Sequence, residues 1–274
     1  DKECKRFRIM LKRWPQSKPK AAIFYLTQAS RLTIFNKSIQ HLYRNFNKKY
    51  RYPIIIFHEA DLIPHKREIR KWTSSQVYFQ QVALVAPEYV PKEIPQTPNC
   101  YSHVSYKHMC QFMAKNVYEQ PILQGLKYYW RLDDESLITH PVDYDLFSFM
   151  QSKKLQYGYI WQYLDSLDCV KGLWETASIY IASNKIPPGN FPSWKSPSIY
   201  YNNFEISSLD IWHSPSYNRF IDYIERVGGI YSQRWGDAPI KGIAISLFVP
   251  KKALHLFKDI GYQHNTFNNT PTRS

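Results

Sequence analysis

Three consecutive acids, Asp133-Asp134-Glu135, follow the run Tyr128-Tyr129-Trp130-Arg131-Leu132. If that run is a strand, alternation along extended backbone puts Asp133 and Glu135 on one face. Carboxylates so placed suit a divalent cation set against a diphosphate, because hard cations prefer carboxylate oxygen. Solvated turns carry the same triplet, so the strand before it gives the acids their weight. Glu205 stands between apolar neighbours in the run 202–206, NNFEI. Aimed into a cleft, its carboxylate is suited to act as nucleophile, base or stabiliser of an oxocarbenium-like centre. The plainer alternative is an edge acid paired with a lysine. The run 234–239, RWGDAP, reads as a tight turn entering a helix, with Asp237 either its N-terminal cap or a partner of a sugar hydroxyl. His264, in DIGYQH, offers an imidazole nitrogen suited to Mn²⁺ or Zn²⁺. Nucleophile elbow, P-loop and dinucleotide fingerprint are absent.

Positioning such groups takes a sheet. KAAIFYLTQ and RYPIIIFHEA read as buried strands, and the segment between them places Leu32, Phe35, Ile39, Leu42 and Phe46 on one helical stripe. Strand–helix–strand is the parallel crossover unit. The pattern predicts a helix in IPHKREIRKWT and a third strand in VALVAPE. It predicts a helix in SYKHMCQFMAKNVY, a strand in KYYWRL, a helix in VDYDLFSFMQSKK and a strand in YGYIWQYL. A Pro-rich loop follows, then a strand at FEISS, a helix ended by Gly228-Gly229, and a final helix in DAPIKGIAISLFV. The tail from Phe257 reads as irregular. Together these give an α/β fold with a mostly parallel sheet.

The 274 residues are 44% hydrophobic, enough for one large domain or two small ones, and no composition break marks a boundary. The net charge of +14 favours polyanions and phosphorylated ligands, and Lys and Arg crowd the first twenty residues. No RNA-binding aromatic signature, zinc-finger spacing or helix-turn-helix pattern supports nucleic acid as the partner. No stretch of about 18 apolar residues is present, and the N-terminus lacks a signal-peptide core. Cys4, Cys100, Cys110 and Cys169 permit two disulfides without requiring them.

Four blocks in fixed order then carry a resemblance: SYKHMCQF, KYYWRLDDESLITHPVDYDLFSFM, NNFEISSLDIW with GGIYSQRWGDAP, and DIGYQH. From Lys20 onward the chain resembles the fungal Golgi α-1,2-mannosyltransferases, glycosyltransferase family fifteen. The resemblance implies a single-domain nucleotide-sugar glycosyltransferase (GT-A-like) fold, with a central mixed sheet flanked by helices. It also implies a retaining hexosyltransferase that uses GDP-mannose, a divalent ion (usually Mn²⁺) and a glycan or glycoprotein acceptor. By the same resemblance the setting is the Golgi, as a type II membrane protein whose anchor is not in this chain. Residues 1–19 are then a basic stem and 20–274 the catalytic domain. Glu205 falls on the family glutamate beside the reacting sugar carbon. Asp133 and His264 fall on the family's metal positions, with Glu135 the alternative to Asp133 for the metal contact, and Tyr106, Arg131 and Asp237 fall on the donor site. Lys241 replaces a family histidine and adds positive charge near the diphosphate. At the end of the first strand the family has Ala-Arg-Asn; here Gln28-Ala29 stand instead, with Arg31 close by.

Overall fold

The computed structural model describes residues 2–90, 99–100 and 102–271. Twelve strands form in chain order. They are β1 (Ala21–Leu26), β2 (Ile54–His58), β3 (Val77–Gln81), β4 (Tyr128–Leu132), β5 (Leu137–Ile138) and β6 (Tyr157–Tyr159). Then come β7 (Gln162–Leu164), β8 (Ser198–Tyr200), β9 (Phe204–Ser208), β10 (Leu254–Leu256), β11 (Tyr262–His264) and β12 (Phe267–Asn269). Seven build one sheet, in the order β10-β6-β9-β4-β1-β2-β3. β9 runs antiparallel to β4 and β6, and the other pairings are parallel. The sheet is therefore mixed, as expected.

Period-two alternation sorts the strands into two cores. Ala22, Phe24, Ile55, Phe57 and Tyr129 point to one face; Ala21, Ile23, Tyr25, Ile54, Ile56, Tyr128 and Trp130 point to the other. Both faces are covered by helices, which is why β1 and β2 are apolar throughout. Helix Leu32–Leu42 packs Phe35 and Ile39 on the second face. Helices Pro215–Val227 and Asp237–Phe248 cover the first. Glu205 and Ser207 of β9 share that first face with Tyr129 and Arg131, because Arg131 pairs with Glu205 across the ladder.

The structure corrects three local expectations and fills in the cysteine pairing. The third strand is Val77–Gln81, not VALVAPE: Tyr78 and Phe79 bury on opposite faces, while the later run goes into Pro87 without a ladder. Only a single turn of α-helix, Lys66–Ile69, forms in IPHKREIRKWT, after a 3₁₀ segment that accommodates Pro64. The tail is regular: β11 and β12 form a hairpin turned at Asn265, whose φ of 50° Asn tolerates better than most residues. One disulfide, Cys100–Cys169, joins segments 69 residues apart, and Cys4 and Cys110 are buried and free.

The N-terminal segment also differs from a solvated stem. Lys2–Lys12 is a helix with Cys4, Phe7 and Leu11 buried at i, i+3 and i+7. Glu3 pairs with Arg70, and Arg6 donates to the Val77 carbonyl. Starting the chain at Lys20 is therefore expected to destabilise it. Losing the burial that Phe7 and Leu11 provide costs about 3–6 kcal/mol, a large share of a domain's net stability. Thermal unfolding of that truncation checks this; an unchanged Tm would restore the stem reading.

Candidate functional site

The acids lie where β4 ends, at the carboxyl edge of the sheet where ligands of open α/β folds bind. They divide their work. Asp134 is buried, accepts from Thr27 Oγ1 at 2.8 Å and pairs with Arg31 Nε at 2.7 Å. Asp133 and Glu135 both approach His264, Glu135 while its other oxygen also meets Arg31 at 3.2 Å. His264 Nε2 lies 3.1 Å from Glu135 Oε1 and 3.7 Å from Asp133 Oδ2. Long-range pairing achieves this: β5, directly after the acids, pairs antiparallel with β11, Leu137 opposite Gln263. His264 Nδ1 meets the Tyr201 hydroxyl at 2.6 Å, which orients the ring and leaves Nε2 toward the carboxylates. Asn203 Nδ2 donates to Asp133 Oδ2 at 2.6 Å.

Two carboxylates and one imidazole are a donor set suited to a divalent cation such as Mn²⁺. Among the described residues no open cage of three or more such donors is preformed. The donors instead pair with one another, so a cation would replace the His264 contacts rather than enter a fixed void.

Arg131 is the hub of the cleft floor. Its guanidinium is buried, with Nη1 2.5 Å from Asp237 Oδ2 and Nη2 3.3 Å from Asp133 Oδ1. Asn202 Nδ2 donates to the same Asp237 oxygen at 2.8 Å. Asp237 is the first residue of its helix, whose cap is Gly236, so the capping alternative is corrected: the carboxylate serves Arg131 and Asn202 instead. Burial alone would raise its pKa, but the charges of Arg131 and Lys241 and the two hydrogen bonds outweigh burial and hold it below 3.8. A depressed carboxylate contributes stability above its unfolded pKa and loses it as pH falls through the lower folded value. Asp237→Asn is therefore expected to cost about 3–5 kcal/mol at neutral pH, since it leaves Arg131 buried without its closest partner. Paired urea titrations at neutral and strongly acidic pH check this; the two proteins should converge in acid.

Glu205 lies deeper than a cleft-facing acid would. It is fully buried. Oε1 accepts from the Tyr129 hydroxyl and the Lys241 ammonium, and Oε2 accepts from the Tyr157 hydroxyl at 2.9 Å. Lys241 is buried too, with Nζ 4.6 Å from the Trp212 ring centre. Burial lowers its pKa more than the Glu205 carboxylate raises it. The expectation that Glu205 faces the cleft is thus corrected: its register partner Arg131 lines the cavity, and Glu205 does not. Lys241 likewise faces Glu205 beneath the floor.

Two adjoining cavities share Tyr106, Met109, Arg131 and Asp133. The larger, of about 460 Å³, runs from Thr27, Gln28 and Arg31 to the acids. The smaller, of about 200 Å³, is walled by Tyr163, Asn202, Arg234 and Asp237. Arg234 stacks over Tyr106 at 4.4 Å. Arg31 lines the larger cavity but spends Nε on Asp134 and Nη2 on Glu135. Sequence reasoning missed Thr27, Tyr201, Asn202, Asn203 and Arg234. Four of these flank residues it did single out, so adjacency in the chain was the available signal.

The mixed sheet thus brings the acids at a central strand end, the returning His264 and the buried guanidinium of Arg131 to one region. The family model described as Glycolipid 2-alpha-mannosyltransferase matches residues 2–274, and the chain belongs to that family. It is similar to Glycolipid 2-alpha-mannosyltransferase 1 of Candida albicans, 29% identical over 282 residues, covering 93% of this chain and 64% of the relative. It is also similar to Alpha-1,2 mannosyltransferase KTR1 of Saccharomyces cerevisiae, 28% identical, covering 96% of this chain and 73% of the relative. The chain spans a little under two thirds of the Candida relative's length. Among solved structures it resembles core-mannan synthase A (CmsA/Ktr4) of Aspergillus fumigatus in a Mn/GDP form. The TM-score is 0.86 at 28% identity, covering 93% of this chain and 77% of that one. The GDP complex of Ktr4p from S. cerevisiae matches with the same TM-score and identity, covering 73% of that chain.

Proposed function

We propose that this chain transfers mannose from GDP-mannose to a hydroxyl of a mannoside or glycan acceptor, with retention of configuration. One observation carries the reading: His264 lies 3.1 Å from Glu135 and 3.7 Å from Asp133, two acids that line a cleft together with Arg131. The Mn/GDP form of the Aspergillus relative supports the choice of ion and base. Asp133, Glu135 and His264 would hold the cation, which when bound neutralises the leaving diphosphate. Arg131 adds fixed positive charge from the floor, and Tyr106 with Asp237 lines the donor side. Glu205, held by Lys241 and two tyrosines, acts as a fixed negative charge beneath the reacting carbon. Direct attack by Glu205 would first require breaking its ion pair with Lys241. The Cys100–Cys169 disulfide supports an oxidising, secretory-lumen setting, in the Golgi by family. No helix among the described residues is long and apolar enough to cross a membrane.

Base choice is tested by calorimetry with GDP, UDP and ADP in the presence of Mn²⁺. GDP is expected to bind at least about tenfold better, a difference of about 1.4 kcal/mol. Because the acids occupy Arg31, base recognition falls to the Thr27–Gln28 strand end. Preference for UDP would favour a same-fold transferase with another donor and remove the mannosyl assignment.

A further inference from the structure

A second cavity, of about 940 Å³, lies at the opposite pole of the sheet. It opens between the N-terminal helix and the entries of β2 and β3, where Pro53 precedes Ile54 and Val77 begins its strand. The donor cleft lies at the other ends of these parallel strands, so the sugar-transfer site does not use this space. Its lining includes five cations, Arg6, Arg13, Lys18, Arg51 and Arg70, and no carboxylate.

The charge there is largely uncompensated. Among the described residues, the carboxylate pairings there are those of Glu3, with both Arg6 and Arg70. Lys18 donates to the Tyr50 carbonyl at 2.7 Å, which leaves its charge intact. Among the described residues, neither Arg13 nor Arg51 has a carboxylate partner. Arg51 also sits at φ 55°, a left-handed conformation uncommon for a side-chain-bearing residue, directly before the strand entry. Aromatic surface completes the walls: Tyr78 lies under Arg6 at 4.4 Å and Tyr52 under Lys18 at 4.9 Å. Such stacking holds the cations in place facing the cavity.

We propose that this cavity is a binding site for a phosphate-bearing ligand, separate from the donor cleft. Guanidinium forks match phosphate oxygens in bidentate geometry, and a concave cationic wall concentrates an anion better than a flat basic patch. Two sources share this chemistry, a soluble phosphate ester and an anionic lipid headgroup. The site does not rest on the mannosyl-transfer reading.

The test is a local one. Arginines of the full chain are modified with phenylglyoxal and mapped by mass spectrometry, with and without inorganic pyrophosphate. Pyrophosphate is expected to slow modification of Arg13 and Arg51 at least about fivefold, as bidentate contacts would. The protection should persist in Asp133→Asn, whose change lies in the other cleft. Arg13→Glu with Arg51→Glu should weaken pyrophosphate protection of Arg70 by about tenfold or more while the Tm is retained. Flotation with phosphatidylcholine vesicles, with and without phosphatidylserine, separates the sources. Binding to the acidic vesicles that the double variant loses, without pyrophosphate protection, assigns a lipid headgroup; protection without vesicle binding assigns a soluble ester. Absence of both protection and variant-sensitive vesicle binding would overturn the site, as would protection confined to Arg131 and Arg234.

Discussion

Glu205→Gln is expected to lower sugar transfer by roughly 10³-fold if, as proposed, its carboxylate stabilises the developing cation from beneath the cleft floor. The same change leaves the Lys241 ammonium buried without a counter-charge, at a cost of about 3–5 kcal/mol. Loss of activity in that variant therefore does not separate chemistry from folding. Lys241→Met alone has the mirror-image defect, an uncompensated carboxylate. The double variant separates the two effects. With both charges gone, the site is close to neutral in stability relative to the original pair, since replacing a buried ion pair by apolar groups often costs nothing. Urea midpoints should thus fall in each single variant and recover in the double, while turnover stays low in every protein lacking the carboxylate. Turnover near the parent value in the double variant would make the Glu205–Lys241 pair a structural element only. Recovery of stability without recovery of turnover would assign Glu205 an electrostatic role in catalysis.

The parts of this site that could be read from sequence were those set by local pattern. β1, β2, β4 and β9 are short apolar or aromatic runs whose alternation fixes two buried faces; Asp133 and Glu135 both approach His264, but through the turn after β4 rather than by strand alternation. What depended on distant partners was not legible. Glu205 is silent about its depth, because the groups that bury it are Tyr129, Tyr157 and Lys241, 76, 48 and 36 residues away. β11 and β12 are three residues each and largely polar, so only their pairing makes them strands, β11 with β5 and β12 with β11. Leu173–Ser183 shows no clear helical stripe, since its apolar residues spread around the axis, and it went unassigned. In the N-terminal helix the reverse held: Lys and Arg concealed a stripe of only three buried residues, Cys4, Phe7 and Leu11.

The partners of the three acids also rank them as cation ligands, and that ranking is testable. Asp134 is buried and both its oxygens already accept from Thr27 or Arg31, so it is the least free of the three to take a cation. Glu135 is held by His264 and by an Arg31 contact of 3.2 Å whose members are about one third exposed; such a pair is worth little and yields readily. Asp133 keeps Oδ2 between Asn203 and His264. His264→Ala is therefore expected to raise the Mn²⁺ concentration for half-maximal transfer by about 10–100-fold, with Asp133→Asn similar. Tyr201→Phe, which only frees the imidazole to rotate, should shift it by about tenfold. Asp134→Asn should lower the Tm and leave the Mn²⁺ dependence unchanged, because its role is to tie β1 to the acid turn through Thr27. Transfer assays over a Mn²⁺ series, with an EDTA control, read all four variants at once. Full activity in excess EDTA would sink the cation site altogether. A Mn²⁺ shift in Asp134→Asn equal to that in Asp133→Asn would mean that the acid turn reorganises on binding, with Arg31 released from Asp134 to the donor phosphates.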